Sequence, residues 1–354
     1  MKKLALVCVA LTMVVAFATT CRAETLELLT WEGYAPKVLV EKFEKETGIT
    51  VKPTYSNNEE MIAKLRATRG AGFDLAQPSQ DRIASVQEKF KLYQPIDYTQ
   101  VDTAQIIPSM LQAVQKNTRV NGESFAVPHV YGTSGLIVNR KYAPEASDYK
   151  DLLNPAYSGR ISYRLQRPTL IGIAFSMQQD PFLLYSNPES YKKLMERVGQ
   201  KLIDGKALVK NYWTNGDALL QSMRSEEVHV AMAWDNGGWK LHAENPDIDF
   251  VAPKSGALGW IDTFAIPAKA KNVSAAYKWM NFMLKPENAA VFTNTEKYAT
   301  ASAGAIDYYE SDVKANFKRS FSQADIDNIK WYPPVPAKLE SMEGLILDKV
   351  KAAR

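Results

Sequence analysis

Two rhythms run through the chain: short, nearly continuous apolar runs, and longer stretches whose apolar residues fall three or four apart. Leu26–Thr30 is mostly apolar, as a buried parallel strand would be. Pro36 follows where the first turn of a helix tolerates it, Leu39 and Phe43 share one helical face, and Gly48 supplies a stop. Ile49–Thr54 returns as a strand and completes a βαβ unit. Met61 and Leu65 mark a second helix, capped by Asn57 or Asn58, with Glu60 in its first turn and Gly70–Gly72 at its end. Phe73–Ala76 reads as a short strand whose tip, Gln77–Asp81, leads into a helix through Ile83 and Val86.

Further on, Ser124–Pro128 and Leu136–Asn139 read as strands. The small residues Tyr131-Gly132-Thr133-Ser134-Gly135 between them suit a hinge. Gly159–Tyr163 is a strand, Arg164–Thr169 a polar stretch and Leu170–Gln178 a helix. Tyr191–Leu202 and Asp217–Arg224 are amphipathic helices. Val228–Trp234 is a buried strand that ends in Asp235-Asn236-Gly237-Gly238, and Phe250–Pro253 is another strand. Trp260–Pro267 reads as a return crossing, Ala275–Leu284 as a helix, and Pro286 opens the next. Strand and helix alternate throughout, which predicts an α/β fold with mostly parallel sheets. The chain leaves its first lobe near residue 133 and returns near residue 263. This predicts a discontinuous lobe 1 (24–133 plus 263–305), a lobe 2 (134–262 plus 306–354) and a cleft between them suited to a ligand enclosed by hinge closure.

The amino terminus is different. Lys2 and Lys3 precede the apolar run Leu4–Ala18, and Cys21-Arg22-Ala23 follows, which predicts a secretory signal at 1–23 cleaved after Ala23. The run is too short for a comfortable membrane span. Lipid attachment at Cys21 is the alternative, although Ala18 stands three residues before it where leucine is usual. Both cysteines, Cys8 and Cys21, lie in this segment, so the mature chain has no disulfide, thiolate nucleophile or cysteine metal site. Its core alone must hold it together. Without Lys2, Lys3 and Arg22 the 43 basic residues become 40 against 39 acidic ones, a net charge of +1. That gives no electrostatic case for nucleic acid or an anionic membrane, and a monomer is expected.

Aromatic and acidic residues gather at strand tips and crossings: Trp31, Tyr34, Asp81, Trp234, Trp260 and Asp262, with Tyr298 following in Glu296-Lys297-Tyr298. Ligands of open α/β sheets collect beyond the carboxyl ends of strands. Trp31 and Tyr34 can wall such a site or staple the helix entry, and Ser79 can cap its helix or hold a ligand. Each indole face attracts a cation with roughly 0.5–2 kcal/mol. Several such faces with one carboxylate suffice for micromolar affinity, about −8 kcal/mol, after ordering costs. The bland alternative places these rings in the two cores, where Trp213, Trp239 and Trp279 are assigned.

Catalytic signatures are missing. There is no Gly-x-Ser-x-Gly elbow, no phosphate loop and no His-Glu-x-x-His, and Ser79 has no histidine in view. His129, His229 and His242 lack metal-ligand spacing, and Tyr308-Tyr309 alone makes a thin case for ferric iron. No enzyme activity and no cofactor are expected.

At these residues the chain resembles the periplasmic substrate-binding proteins of polyamine ABC importers, the spermidine- and putrescine-binding family. The likeness rests on Thr30-Trp31-Glu32-Gly33-Tyr34, Phe43-Glu44-Lys45-Glu46-Thr47-Gly48-Ile49, Phe73-Asp74-Leu75 with Pro78-Ser79, Ala233-Trp234, and Trp260-Ile261-Asp262 with Ala265-Ile266-Pro267. It covers nearly all of the mature chain. It implies a two-lobed periplasmic-binding-protein fold (type II), delivery of ligand to an inner-membrane permease, and no catalysis. Position by position it carries Trp31, Tyr34, Ser79, Trp234, Trp260, Asp262 and Tyr298 onto a ligand wall, with Asp262 on an ammonium group. The second lobe departs from the pattern. Where the family places an acid after the strand matching Gly159–Tyr163, this chain has Gln166 and Thr169, with Arg164 and Arg167 close by. An unpartnered buried ammonium is costly, whereas Arg164 offers a bidentate bond to an anion. Two ligand classes follow. One is an ω-amino acid-like zwitterion, with its amine at Asp262 and its anion at Arg164. The other is a polyamine whose second charge meets Glu32, Asp81 or Asp235. The remaining alternatives are a ferric-ion or other anion binder and a ligand-sensing partner of a membrane receptor.

Overall fold

The computed structural model describes residues 24–353. The expected signal at 1–23 and the possible anchor at Cys21 lie outside the described residues. The first sheet is wholly parallel: Thr25–Thr30 lies between Thr50–Tyr55 and Leu75–Ala76. Helix Lys37–Thr47 makes the crossover, buries Leu39 and Phe43, and ends at Gly48 with φ at 71°, a left-handed cap that a side chain would strain. Asn57 caps the next helix, Asn58–Thr68, by accepting the Glu60 amide at 3.0 Å.

The second sheet runs in the order Lys330–Trp331, Leu258–Phe264, Val127–Asn139, Val230–Trp234, Ile161–Tyr163, Val209–Tyr212. Ile248–Val251 and Ala299–Thr300 also pair with Val127–Asn139. Its outer pairings are parallel, while every partner of Val127–Asn139 runs antiparallel to it. This crossing strand lies almost wholly buried at the centre of the molecule. The two lobes are built around it and its antiparallel partner, the return strand Leu258–Phe264. The crossings expected near residues 133 and 263 fall inside these two strands. The return strand also bridges to the first sheet through Ala76–Ala265 and Ser79–Asp262.

The pliant joint expected at 131–135 is instead part of one continuous 13-residue strand. Ser134 pairs with Leu258 on one side and Trp234 on the other, so its backbone is held across both edges. The glycines serve closeness rather than turning. A Cβ on Gly132 would sit 2.6 Å from Trp260 Cζ2, and one on Gly135 would sit 2.6 Å from Phe250 Cζ.

Two helices also differ from the sequence reading. The helix expected from Leu170 begins at Arg167, because Gln166 is extended and Pro168 fits a first turn. Asp235–Glu244 is a helix where the Gly237-Gly238 pair read as a loop tip. Phe250 packs so tightly there that a Cβ on Gly238 would meet its Cβ at 2.6 Å. At the carboxyl end, helix Ala337–Ala352 lies on helix Pro188–Asp204, where Gly199 admits Ile346. Trp239 and Trp279 are core residues, edge-packed or tilted on Phe317 and Phe43. Among the described residues no helix is long and apolar enough to cross a membrane.

Replacing Gly132 by alanine should therefore cost about 1–3 kcal/mol through overpacking against Trp260. A lower urea midpoint at unchanged slope is the expected readout; a wild-type midpoint would show that the strand has room to spare.

Candidate functional site

The tips of the parallel strands converge on one cavity of about 500 Å³, within the range of roughly 300–1,000 Å³ that small ligands use. Trp31 follows Thr25–Thr30, Ser79 follows Leu75–Ala76, Arg164 follows Ile161–Tyr163, Trp213 follows Val209–Tyr212 and Trp234 ends its own strand. All the sequence-predicted residues line it: Trp31, Glu32, Tyr34, Ser79, Asp81, Arg164, Gln166, Trp234, Trp260, Asp262 and Tyr298.

Asp262 sits on the return strand where its register against the crossing strand shifts, between Asp262 and Thr263. Pro128 has no N–H to offer there, and Thr263 instead donates its amide to Pro78 O at 3.0 Å. The Asp262 side chain is only 4% exposed. It accepts hydrogen bonds from the Ser79 hydroxyl at 2.5 Å and the Tyr34 hydroxyl at 2.6 Å. Ser79 is itself fixed by Asn58, which donates Nδ2 to its Oγ at 2.9 Å. No cation pairs with Asp262 among the described residues. Burial pushes its pKa up to about 7 against the pull of the two hydroxyls, and Asp81 adds to the rise. Tyr34, held far above the ordinary phenol range by burial and by Asp262, stays a donor.

Rings enclose this carboxylate. Tyr298 stands edge-on to Tyr34 at 5.5 Å and to Trp260 at 5.8 Å. Trp31 is anchored by an Nε1 bond to Gln77 O at 2.8 Å. Across the cavity Trp213 and Trp234 meet edge-on at 5.2 Å. Trp213, assigned to the core from sequence, is buried yet lines the cavity, with its Nε1 donated to Met232 O at 3.0 Å. Tyr55, Asn58, Glu59, Asn236, Lys240 and Glu296 were also missed. The signal that marked Trp31 and Trp234, an aromatic just past a strand, holds equally for Trp213.

Of the three acids named for a second ligand charge, two are committed elsewhere. Asp81 Oδ2 is 3.2 Å from Arg167 Nη1, and both side chains are buried. Arg167 also binds Glu343 and Tyr185 and lies 4.8 Å over the Tyr332 ring. Arg82 bridges Glu59 and Glu340 beside it. Asp235 is buried under Gly132, where it accepts from the Thr133 amide at 2.7 Å and the Asn236 amide at 2.8 Å. Burial pushes its pKa up to about 7. Glu32 lines the cavity and is exposed. His129 packs behind the site on Phe264 and bonds Gln77 at 2.6 Å, and burial pulls its pKa down to about 3. Tyr308 is exposed, away from the cavity. No group of three or more His, Cys, Asp or Glu among the described residues could hold a metal ion.

The lining carries seven acids and four bases, and three of those bases, Arg82, Arg167 and Lys240, are ion-paired. The cavity therefore favours a cationic guest near Asp262.

The family described as bacterial extracellular solute-binding protein matches residues 38–319. A spermidine/putrescine-binding periplasmic protein of Escherichia coli (strain K12) is 30% identical over 336 residues, 93% of this chain and 92% of that protein. A putrescine/cadaverine-binding protein of Pseudomonas aeruginosa is 25% identical over 351 residues, 93% of this chain and 94% of its own. A solved structure from Listeria monocytogenes, assigned to spermidine/putrescine ABC transport, superposes with a TM-score of 0.81 at 26% identity, covering 94% of this chain and all of that one.

Two outcomes follow. Asp262 holds its proton up to about pH 7 in the native state but ionises near its usual 3.8 when unfolded. The native state thus binds the extra proton between these values, and this group's contribution to stability falls as pH rises through that window. Denaturant midpoints measured from pH 4 to 7 should show a downward component that Asp262→Asn removes. Secondly, Arg167→Met leaves Asp81 and Glu343 buried without their cation and should cost about 3–5 kcal/mol. Combining it with Asp81→Asn and Glu343→Gln should return most of that loss in the same unfolding assay.

Proposed function

We propose, for a chain that belongs to the bacterial extracellular solute-binding protein family, that it captures a small solute bearing a protonated amine and delivers it to the permease of an ABC importer. The observation that carries this reading is Asp262: a buried carboxylate with two hydroxyl donors, no counter-cation among the described residues, and the rings of Tyr34, Trp260 and Tyr298 around it. An ammonium group placed there supplies the missing charge and draws further attraction from the ring faces. Relatives named for spermidine, putrescine and cadaverine make these the first ligands to try.

The signal at 1–23 sends the chain to the periplasm. There, lobe 1 (24–133 plus 263–305) and lobe 2 (134–262 plus 306–354) close on the solute. The closed form is what the inner-membrane permease recognises. The protein is a carrier, not an enzyme: Ser79 donates a hydrogen bond to Asp262 and accepts one from Asn58, which makes it an anchor for the carboxylate rather than a nucleophile.

Isothermal titration with a panel of amines tests the reading. A ligand of micromolar affinity or better is expected, and Asp262→Asn should weaken it by about tenfold to hundredfold, the range for a hydrogen bond to a charged group. Its affinity should also fall below pH 7, where the carboxylate takes up its proton. Absence of binding across the panel, or an Asp262→Asn variant with wild-type affinity, would refute it.

A further inference from the structure

Arg164 is the one base of the cavity lining without an ion pair among the described residues. Its guanidinium lies 5.4 Å from the Trp213 ring and 5.4 Å from the Trp234 ring. No carboxylate comes within 4.0 Å of it, and its side chain donates no hydrogen bond to any described residue. Its Nε is buried without a partner. Burial lowers its pKa, while Glu59, Tyr332 and Tyr298 work the other way. A guanidinium nonetheless stays charged at neutral pH. Glu59, the strongest of those opposing influences, is engaged by Arg82 at 3.3 Å. Arg164 is half-buried at the cavity wall, a cation with five donors and no acceptor among the described residues.

The same placement closes this wall to a second ammonium. Trp213 and Trp234 would make a good cage for a cation, but the chain's own cation already lies over both rings. A diamine anchored at Asp262 would bring its far charge toward a like charge. Asp81 cannot relieve that repulsion while Arg167 holds it, nor can Asp235, whose carboxylate is turned onto backbone amides; Glu32, which lines the cavity but is exposed, offers only a solvent-screened charge.

We propose that Arg164, seated against Trp213 and Trp234, receives a carboxylate group of the ligand, so that the solute is an ω-amino acid with its amine at Asp262 and its acid at Arg164. The inference rests on the amine-binding reading and deepens it. The two edge-on indoles flank the guanidinium, and its N–H edges are free to meet both oxygens of one carboxylate.

Titration of γ-aminobutyrate, 5-aminovalerate and putrescine into the wild type, Arg164→Gln, Arg164→Lys and Asp262→Asn decides the matter, with thermal unfolding of each variant to show that it folds. At least one ω-amino acid should bind the wild type tenfold or more tighter than putrescine. Arg164→Gln should lose at least 30-fold for that amino acid and gain for putrescine, with Arg164→Lys between. If Arg164→Gln fails to fold, Arg164→Lys carries the test by the same reversal in rank. Putrescine binding as tightly as every ω-amino acid, with its rank unmoved by either Arg164 variant, overturns the inference; if Asp262→Asn then abolishes putrescine binding, the amine reading survives alone. If neither class binds, both fall together.

Discussion

Asp262 is a carboxylate kept in a nearly dry place by two hydroxyl groups and no positive charge. Taking such a group out of water costs several kcal/mol unless a counter-charge comes with it. The fold supplies donors from far along the chain: Tyr34 lies 228 residues before Asp262, and Ser79 lies 183 before it. Asn58 steadies Ser79, and the register shift opposite Pro128 aims the side chain inward. The apo protein therefore holds an unfavourable charge, relieved in part by proton uptake near neutrality. On the proposed reading, a bound ammonium supplies the charge that the hydroxyls do not, and the surrounding rings add to its attraction.

The other buried ions are already satisfied. Arg167 gathers Asp81, Glu343 and Tyr185 into one network, and Arg82 gathers Glu59 and Glu340. These ties join the loop after the first sheet to the carboxyl-terminal helix and to helix Arg167–Ser176. They set the cavity's side walls and leave Asp262 and Arg164 as the lining charges that are shielded from solvent yet have no ion-pair partner among the described residues. On the proposed reading, binding specificity comes from which charges the fold leaves unpaired.

Much of this was legible along the chain, because strand tips announce themselves locally. An apolar run that ends in Trp31, Ser79 or Trp234 places that residue at a carboxyl edge before any packing is known. Partners are a different matter. That Arg167 would reach back 86 residues to pair with Asp81 has no local signature, so the sequence showed Asp81 as a free charge. Glycine misled in both directions. At Gly132 and Gly238 the sequence could mean freedom to turn or room for a neighbour, and only the positions of Trp260 and Phe250 decide for the latter. Trp213 shows that burial and function are not exclusive, since one ring can close a core and face a cavity at once.

The continuous crossing and return strands carry a consequence for how this molecule can vary. Trp260 and Asp262 share a face of the return strand because they are two residues apart. A single residue inserted before them would reverse that face and turn Gly259, Ile261 and Thr263 toward the ligand. Loops that do not line the cavity can lengthen more freely. This ribbon cannot gain or lose one residue without erasing recognition, so it sets the reading frame of the binding site.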